Sequence, residues 1–160
     1  MTLEEGLREY FGVRPRRVVI VGVGNPIRGD DAVGPRIIEL MKSKPIDGVL
    51  LLNTESVPEA FTGKVEKFKP THVLLVDAAN FRGMAGETKL INGEQIGGQA
   101  VSTHSLPLNI FISYIEKSLD LSVLLLGIQP VSIGLGEPLS DPVKATAVSV
   151  ADTLYQILSE

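Results

Sequence analysis

The sequence predicts an α/β fold: a three-layer, mostly parallel sheet with helices on both faces. Three observations carry this. Val18-Val19-Ile20-Val21, Val49-Leu50-Leu51-Leu52, Val73-Leu74-Leu75-Val76 and Val123-Leu124-Leu125-Leu126-Gly127-Ile128 are continuous apolar runs rather than alternating ones, the pattern of strands buried on both faces. Helix-like segments lie between them, joined by short connections. The chain has 160 residues, enough for one domain with a sizeable core.

Each element has a local reason. Thr2 and Glu5 form a capping box on a short amphipathic helix, and this acidic, charge-broken start has no apolar region of the kind a secretory signal needs. Residues 16–23 are the first strand. Residues 32–44 form a helix that tolerates Pro35 in its first turn, where backbone N–H groups have no helical partner. Val49 to Leu52 is the second strand, and residues 57–68 are helical with Pro58 near the start. Val73 to Val76 is the third strand, ending on Asp77. Glu87 to Ile91 is a shorter, amphipathic strand, and Gly93 to Gln99 a glycine-rich loop. Pro107 opens a helix over residues 107–118, and residues 123–128 form another buried strand. Residues 140–158 close the chain as a helix capped by Ser140, with Pro142 in its first turn and an apolar face of Val143, Ala147, Val150, Leu154 and Ile157. No repeat, low-complexity tract or linker interrupts this order. The expectation is a single domain over residues 1–160, with residues 1–15 as a helical extension.

Composition excludes several functions. The net charge is −4 without a lysine or arginine block, which argues against nucleic acid and anionic membranes as partners. The absence of cysteine removes disulfides, thiolate metal sites and a cysteine nucleophile, and is compatible with a reducing cytoplasm. No apolar run approaches the roughly 20 residues of a membrane span.

The most informative stretch is Gly24-Asn25-Pro26-Ile27-Arg28-Gly29-Asp30-Asp31, a glycine-rich loop between a buried strand and a helix. Gly22-Val23-Gly24 begins like a dinucleotide fingerprint, but the final glycine is missing, Pro26 stands where phosphate would approach, and two aspartates would repel a pyrophosphate. No Walker A sequence, nucleophile elbow or H-E-x-x-H occurs. What remains are polar residues at strand ends. Asp31 follows strand one, Asp77 ends strand three, and His104 lies in a loop before a helix. A parallel sheet can bring all three to one edge, and two carboxylates with one imidazole suit a divalent transition ion such as zinc or nickel, with positions left open for substrate.

Each residue also has a structural role open to it. Asp30 is the better candidate for a cap on the following helix, Asp77 alone would more often fasten a turn, and His104 alone would be an ordinary loop histidine. His72 begins strand three, roughly 15 Å or more from Asp77 by strand rise, and is read as a surface residue. Ser56 and Ser105 lack the partners a nucleophile needs.

Five segments in order are more specific than any one of them: Gly22-Val23-Gly24-Asn25-Pro26 with Gly29-Asp30-Asp31-Ala32-Val33-Gly34; Val76-Asp77-Ala78; Thr103-His104-Ser105-Leu106-Pro107-Leu108; and Leu126-Gly127-Ile128-Gln129-Pro130. Together they resemble the hydrogenase maturation endopeptidases, in particular the branch that processes hydrogenase 3-type large subunits, from about Val18 to Tyr155. The resemblance implies a twisted five-stranded sheet with flanking helices. It implies a cytoplasmic endopeptidase that removes a C-terminal extension from a nickel–iron hydrogenase large-subunit precursor after nickel insertion. Asp31, Asp77 and His104 then take both metal-binding and catalytic roles. Nickel is expected to arrive with the substrate, other divalent transition metals are able to occupy the site, and the enzyme is expected to act as a monomer. Thr54-Glu55 replaces a frequent glycine pair after strand two, so Glu55 either adds a carboxylate near the site or points to solvent. Ala32 replaces a frequent glycine and stiffens the helix start.

Two mechanisms follow. In one, the precursor's nickel is engaged by Asp31, Asp77 and His104 beside the scissile peptide. In the other, aspartic-type version, Asp31 and Asp77 share a proton and activate water between them. The alternative of a different class is a non-catalytic module that binds the nickel-containing precursor, and a more distant one is a small-molecule-binding domain.

Overall fold

The computed structural model describes residues 1–12, 14–96, 101–103 and 108–160. The elements in chain order are α1 (Leu3–Phe11), β1 (Val18–Val23), α2 (Val33–Lys42), β2 (Val49–Glu55), α3 (Thr62–Phe68), β3 (His72–Asn80), β4 (Thr88–Asn92), β5 (Ser102–Thr103), α4 (Leu108–Leu119), β6 (Val123–Ile128) and α5 (Asp141–Leu158). Five strands run in the order β2-β1-β3-β6-β4, and the two-residue β5 pairs with the end of β3. β1, β2, β3 and β6 are parallel, while β4 joins β6 antiparallel at the edge. The α/β class is as expected, with β5 as a sixth, short strand that no apolar run in the sequence marks.

Alternation along the strands divides the core. Val18, Ile20, Leu74 and Val76 face α1, α2 and α5. Val19, Val21, Val73 and Leu75 face α3 and α4. Both faces are apolar, so the strands cannot alternate in polarity, and this is why they appear in the sequence as continuous runs. The expected face of α5 is the buried one, from Val143 to Ile157. The N-terminal segment is part of the core: Thr2 caps α1 by accepting from the Glu5 N–H at 3.1 Å, and Leu7 and Phe11 are buried. Among the described residues no helix is long and apolar enough to cross a membrane.

Four local expectations need correction. The segment 57–68 is not one helix: a 3-10 turn over Pro58–Phe61 precedes α3. β3 does not end at Asp77 but continues to Asn80, because β6 supplies register partners for Asp77 and Ala78. Ser140 occupies the N-cap position of α5 without a capping bond from its side chain. His72 is half-buried rather than on the surface, packed edge-on against Tyr10 at 5.2 Å between ring centroids, with Nδ1 2.7 Å from Thr71 Oγ1. The expected start of α4 at Pro107 and the end of the Gly93–Gln99 loop lie outside the described residues.

One close approach fixes how α2 sits on the sheet. A Cβ added to Gly34, in the first turn of α2, would lie 2.4 Å from the Val23 carbonyl oxygen and 2.5 Å from that of Val76. The helix therefore sits directly on the end of β1 and the middle of β3, closer than any side chain permits. Gly34→Ala is expected to cost about 3 kcal/mol, since both obstacles are backbone, read as a lower urea midpoint with an unchanged slope.

Burial and the nearby Arg16 charge hold the His72 imidazole below its ordinary value. The unfolded chain then takes up a proton first as pH falls through about 6.5. The stability carried by neutral His72 is full above that pH and declines below it, until the folded form also titrates. Urea midpoints between pH 8 and pH 5 are expected to show this decline, and His72→Gln to flatten it.

Candidate active site

The site is built on the loop between β1 and α2. Gly24 turns the chain out of β1 at φ 137°, and any Cβ there would lie 1.9 Å from the Asp31 carbonyl oxygen. Its N–H donates to the Glu55 carbonyl at 2.8 Å. Asn25 closes a local turn, its Oδ1 accepting from the Ile27 N–H at 3.0 Å, as asparagine does before a proline turn. The chain then coils through a 3-10 turn, Gly29–Ala32, into α2. Neither aspartate caps that helix, whose N-cap is Ala32 with no side-chain bond.

The two aspartates separate sharply in role. Both are buried, each 1 % exposed. The Asp30 carboxylate accepts from the Val131 N–H at 2.8 Å, the Ser132 N–H at 3.4 Å, the Ser140 N–H at 2.7 Å and the Ser140 hydroxyl at 2.8 Å. It therefore fastens the β1–α2 loop to the loop after β6 and to the start of α5, instead of the helix that follows it. The Ser140 hydroxyl is a donor to Asp30, which explains why it does not cap its own helix.

Asp31 is held differently. Its Oδ2 accepts from the Asn25 N–H at 2.8 Å, taking the amide that a bound phosphate would need. Its Oδ1 is buried and meets no hydrogen-bond donor among the described residues. A buried carboxylate oxygen left without a donor is costly, and it suits a cation or a proton brought by a substrate.

Asp77 is fully buried, 0 % exposed, in the middle of β3 and level with Gly127 of β6. The Gly29–Ala32 turn packs against β3. The first turn of α2 meets the Val76 carbonyl, one residue before Asp77. Asp31 and Asp77 thus occupy the same carboxyl edge of the sheet, where open α/β folds bind ligands. His104 lies outside the described residues. The residue before it, Thr103, is paired with Ala79, two positions beyond Asp77. Ser105 also lies outside the described residues, and Ser56 is exposed. Among the described residues no three His, Asp or Glu side chains form a metal cluster.

Gln129 and Glu55 also bear on the site. Gln129 is buried, with Oε1 accepting from the Phe81 N–H at 2.9 Å and the Gly83 N–H at 3.0 Å, and Nε2 donating to Asn80 Oδ1 at 3.2 Å. It ties the end of β3 to the loop after β6. Its place directly after a buried strand, the same logic that selects Asp77, is the signal that identifies it. Glu55 resolves to the solvent side: the residue is exposed and contributes through its backbone carbonyl. A cleft of about 400 Å³, lined by Ala78, Asn80, Thr103, Gln129 and Val131 among others, opens at the end of β3.

The hydrogenase maturation protease family, HycI, matches residues 35–157. The chain belongs to this family. The protease shares 31% identity with the hydrogenase 3 maturation protease of Escherichia coli K12, over 88% of this chain and 87% of that protein. It also resembles the crystal structure of the NiFe hydrogenase maturation protease HycI from Thermococcus kodakarensis, at 39% identity, with a TM-score of 0.88 covering 97% of this chain and 99% of that one. The hydrogenase maturating endopeptidase HybD of Escherichia coli, at 22% identity and a TM-score of 0.73 over 89% of this chain and 91% of that one, shares the fold. This protease is therefore a peptidase.

Asp30→Ala in the protease would leave the Val131 and Ser140 N–H groups without an acceptor. It is expected to lower stability by at least about 3 kcal/mol, as for loss of several hydrogen bonds to one buried charge. Chemical denaturation of the two proteins measures this.

Proposed function

We propose that Asp31, Asp77 and His104 form the centre with which this peptidase engages the nickel of its substrate. The substrate is a nickel–iron hydrogenase large-subunit precursor, from which the enzyme removes the C-terminal extension. The observation that carries the proposal is the buried Oδ1 of Asp31, which has no donor among the described residues and shares a sheet edge with Asp77. Carboxylates and an imidazole are suitable donors for a divalent transition ion. Nickel carried by the precursor would lower the barrier by polarising the scissile carbonyl or acidifying a water. In the hydrolysis, water adds to the carbonyl, a carboxylate accepts its proton, and the proton passes to the amine as the C–N bond breaks. The proposed setting is the cytoplasm, with the enzyme acting as a monomer. Metal recognition then supplies timing, because a precursor lacking nickel lacks the ligand that these residues hold.

The test is cleavage of nickel-loaded and metal-free precursor by the purified protease, followed by intact mass. Only the loaded precursor is expected to be shortened, and equal cleavage of both would overturn metal recognition. Asp31→Asn is expected to reduce turnover by at least about a hundredfold, the scale of losing a positioned acid–base group. His104→Ala with undiminished turnover would assign the chemistry to the two carboxylates alone. An unshortened loaded precursor, with no other factor present, would make the chain a binding module.

A further inference from the structure

We propose that Arg28 anchors a side-chain carboxylate of the precursor, in the segment brought to Asp31; this rests on the function proposed above. Arg28 lies in the same loop as Asp31, and its carbonyl accepts from the Asp31 N–H at 3.0 Å. The residue is half-buried. Nε, alone among its three guanidinium nitrogens, is shut off from solvent, and it has no acceptor. Among the described residues Arg28 forms no side-chain hydrogen bond and no ion pair.

Its neighbours explain why the charge stays open. Asp30 is saturated by Val131, Ser132 and Ser140, and Asp31 Oδ2 is taken by Asn25. The other two half-buried arginines both have acceptors. Arg16 donates to the Gly12 and Ile157 carbonyls, and Arg36 pairs with Glu39 at 2.8 Å. Only Arg28 has lost water without gaining a partner, a cost that calls for an explanation.

A carboxylate from outside would reach the two terminal nitrogens, which are not shut off, and neutralise the charge. The guanidinium is planar and always charged, and its fork matches two carboxylate oxygens. The surrounding surface fits a protein partner as well. Ile27 and Leu135 are 61% and 67% exposed, and their loops are joined by the Gly136 N–H donating to the Ile27 carbonyl at 2.7 Å. An arginine with exposed apolar neighbours has the composition of an interface anchor. A precursor whose nickel reaches Asp31 must lie over these same loops.

The experiment measures steady-state cleavage of nickel-loaded precursor by the wild-type protease, Arg28→Met and Arg28→Lys. Arg28→Met is expected to raise KM about tenfold with little change in kcat, as for loss of an interaction made equally in ground and transition states. Arg28→Lys keeps the charge without the fork and should recover part of that loss. Precursors with each acidic residue near the cleavage site changed to its amide identify the partner. One of them should raise KM about tenfold against wild type and add nothing against Arg28→Met, the signature of a coupled pair. Thermal unfolding of each variant guards against a folding defect, and if Arg28→Met is misfolded the same comparison is made with Arg28→Lys. An unchanged KM in the folded variants, or amide losses equal in both backgrounds, would overturn the anchor. Failure of the wild-type enzyme to cleave would instead overturn the function on which it rests.

Discussion

The site depends on a carboxylate that takes no part in the proposed chemistry. Asp30 is buried, and a buried charge persists only where donors saturate it. Its donors come from Val131, Ser132 and Ser140, more than a hundred residues further along the chain. One side chain thereby joins the loop after β1 to the loop after β6 and to the start of the last helix. The backbone follows the same path, with the Asp30 N–H donating to the Ser132 carbonyl and the Gly29 N–H to the Glu137 carbonyl. Because Asp30 satisfies these groups, Asp31 is fixed next to it with one oxygen still available. Saturation of the first carboxylate leaves the second held by Asn25 at one oxygen, with the other meeting no donor among the described residues.

Close approach of backbone to backbone completes the arrangement. Gly34 lets α2 rest on the Val23 carbonyl at the end of β1 and the Val76 carbonyl in the middle of β3, and Gly24 lets the chain leave β1 against the Asp31 carbonyl. These contacts hold Asp31 to the edge on which Asp77 stands. Concavity alone would point elsewhere. A cleft of about 710 Å³, lined by Arg14, Arg16, Gly48, Val49 and Glu160 among others, opens at the opposite, amino end of β1 and β2. The carboxyl edge carries a smaller cleft and the buried Oδ1 of Asp31, which meets no donor among the described residues, and the proposed chemistry follows that group rather than volume.

Much of the fold is legible in the residues. Four of the parallel sheet's strands announce themselves as apolar runs, because both of their faces are covered. Helix α5 shows its buried face at helical spacing, and Thr2 marks the start of α1. The choice of Asp31, Asp77 and His104 also comes from sequence, since strand-end polar residues are few. The features that escape are those set by distant partners. β5 is two residues long and exists only because β3 runs on to Asn80. Gln129 draws its role from Phe81, Gly83 and Asn80. Ser140 is a good capping residue by type, yet Asp30 claims its hydroxyl. His72 is polar and looks like surface, but α1 folds back and covers it with Tyr10.

The sequence by itself determined the class of fold, and it selected the carboxyl edge and the acidic pair as the candidates for chemistry. Those are local properties: apolar pattern, turn composition and the position of polar residues just after strands. Only the tertiary structure decided which aspartate is a clamp and which has an oxygen that meets no donor among the described residues. It also decided that, among the described residues, Arg28 has no acceptor while Arg16 and Arg36 do. The physical reason is that hydrogen-bond saturation in a buried site is a property of all the donors and acceptors that meet there. In this chain they come from segments that become neighbours only when the sheet is assembled.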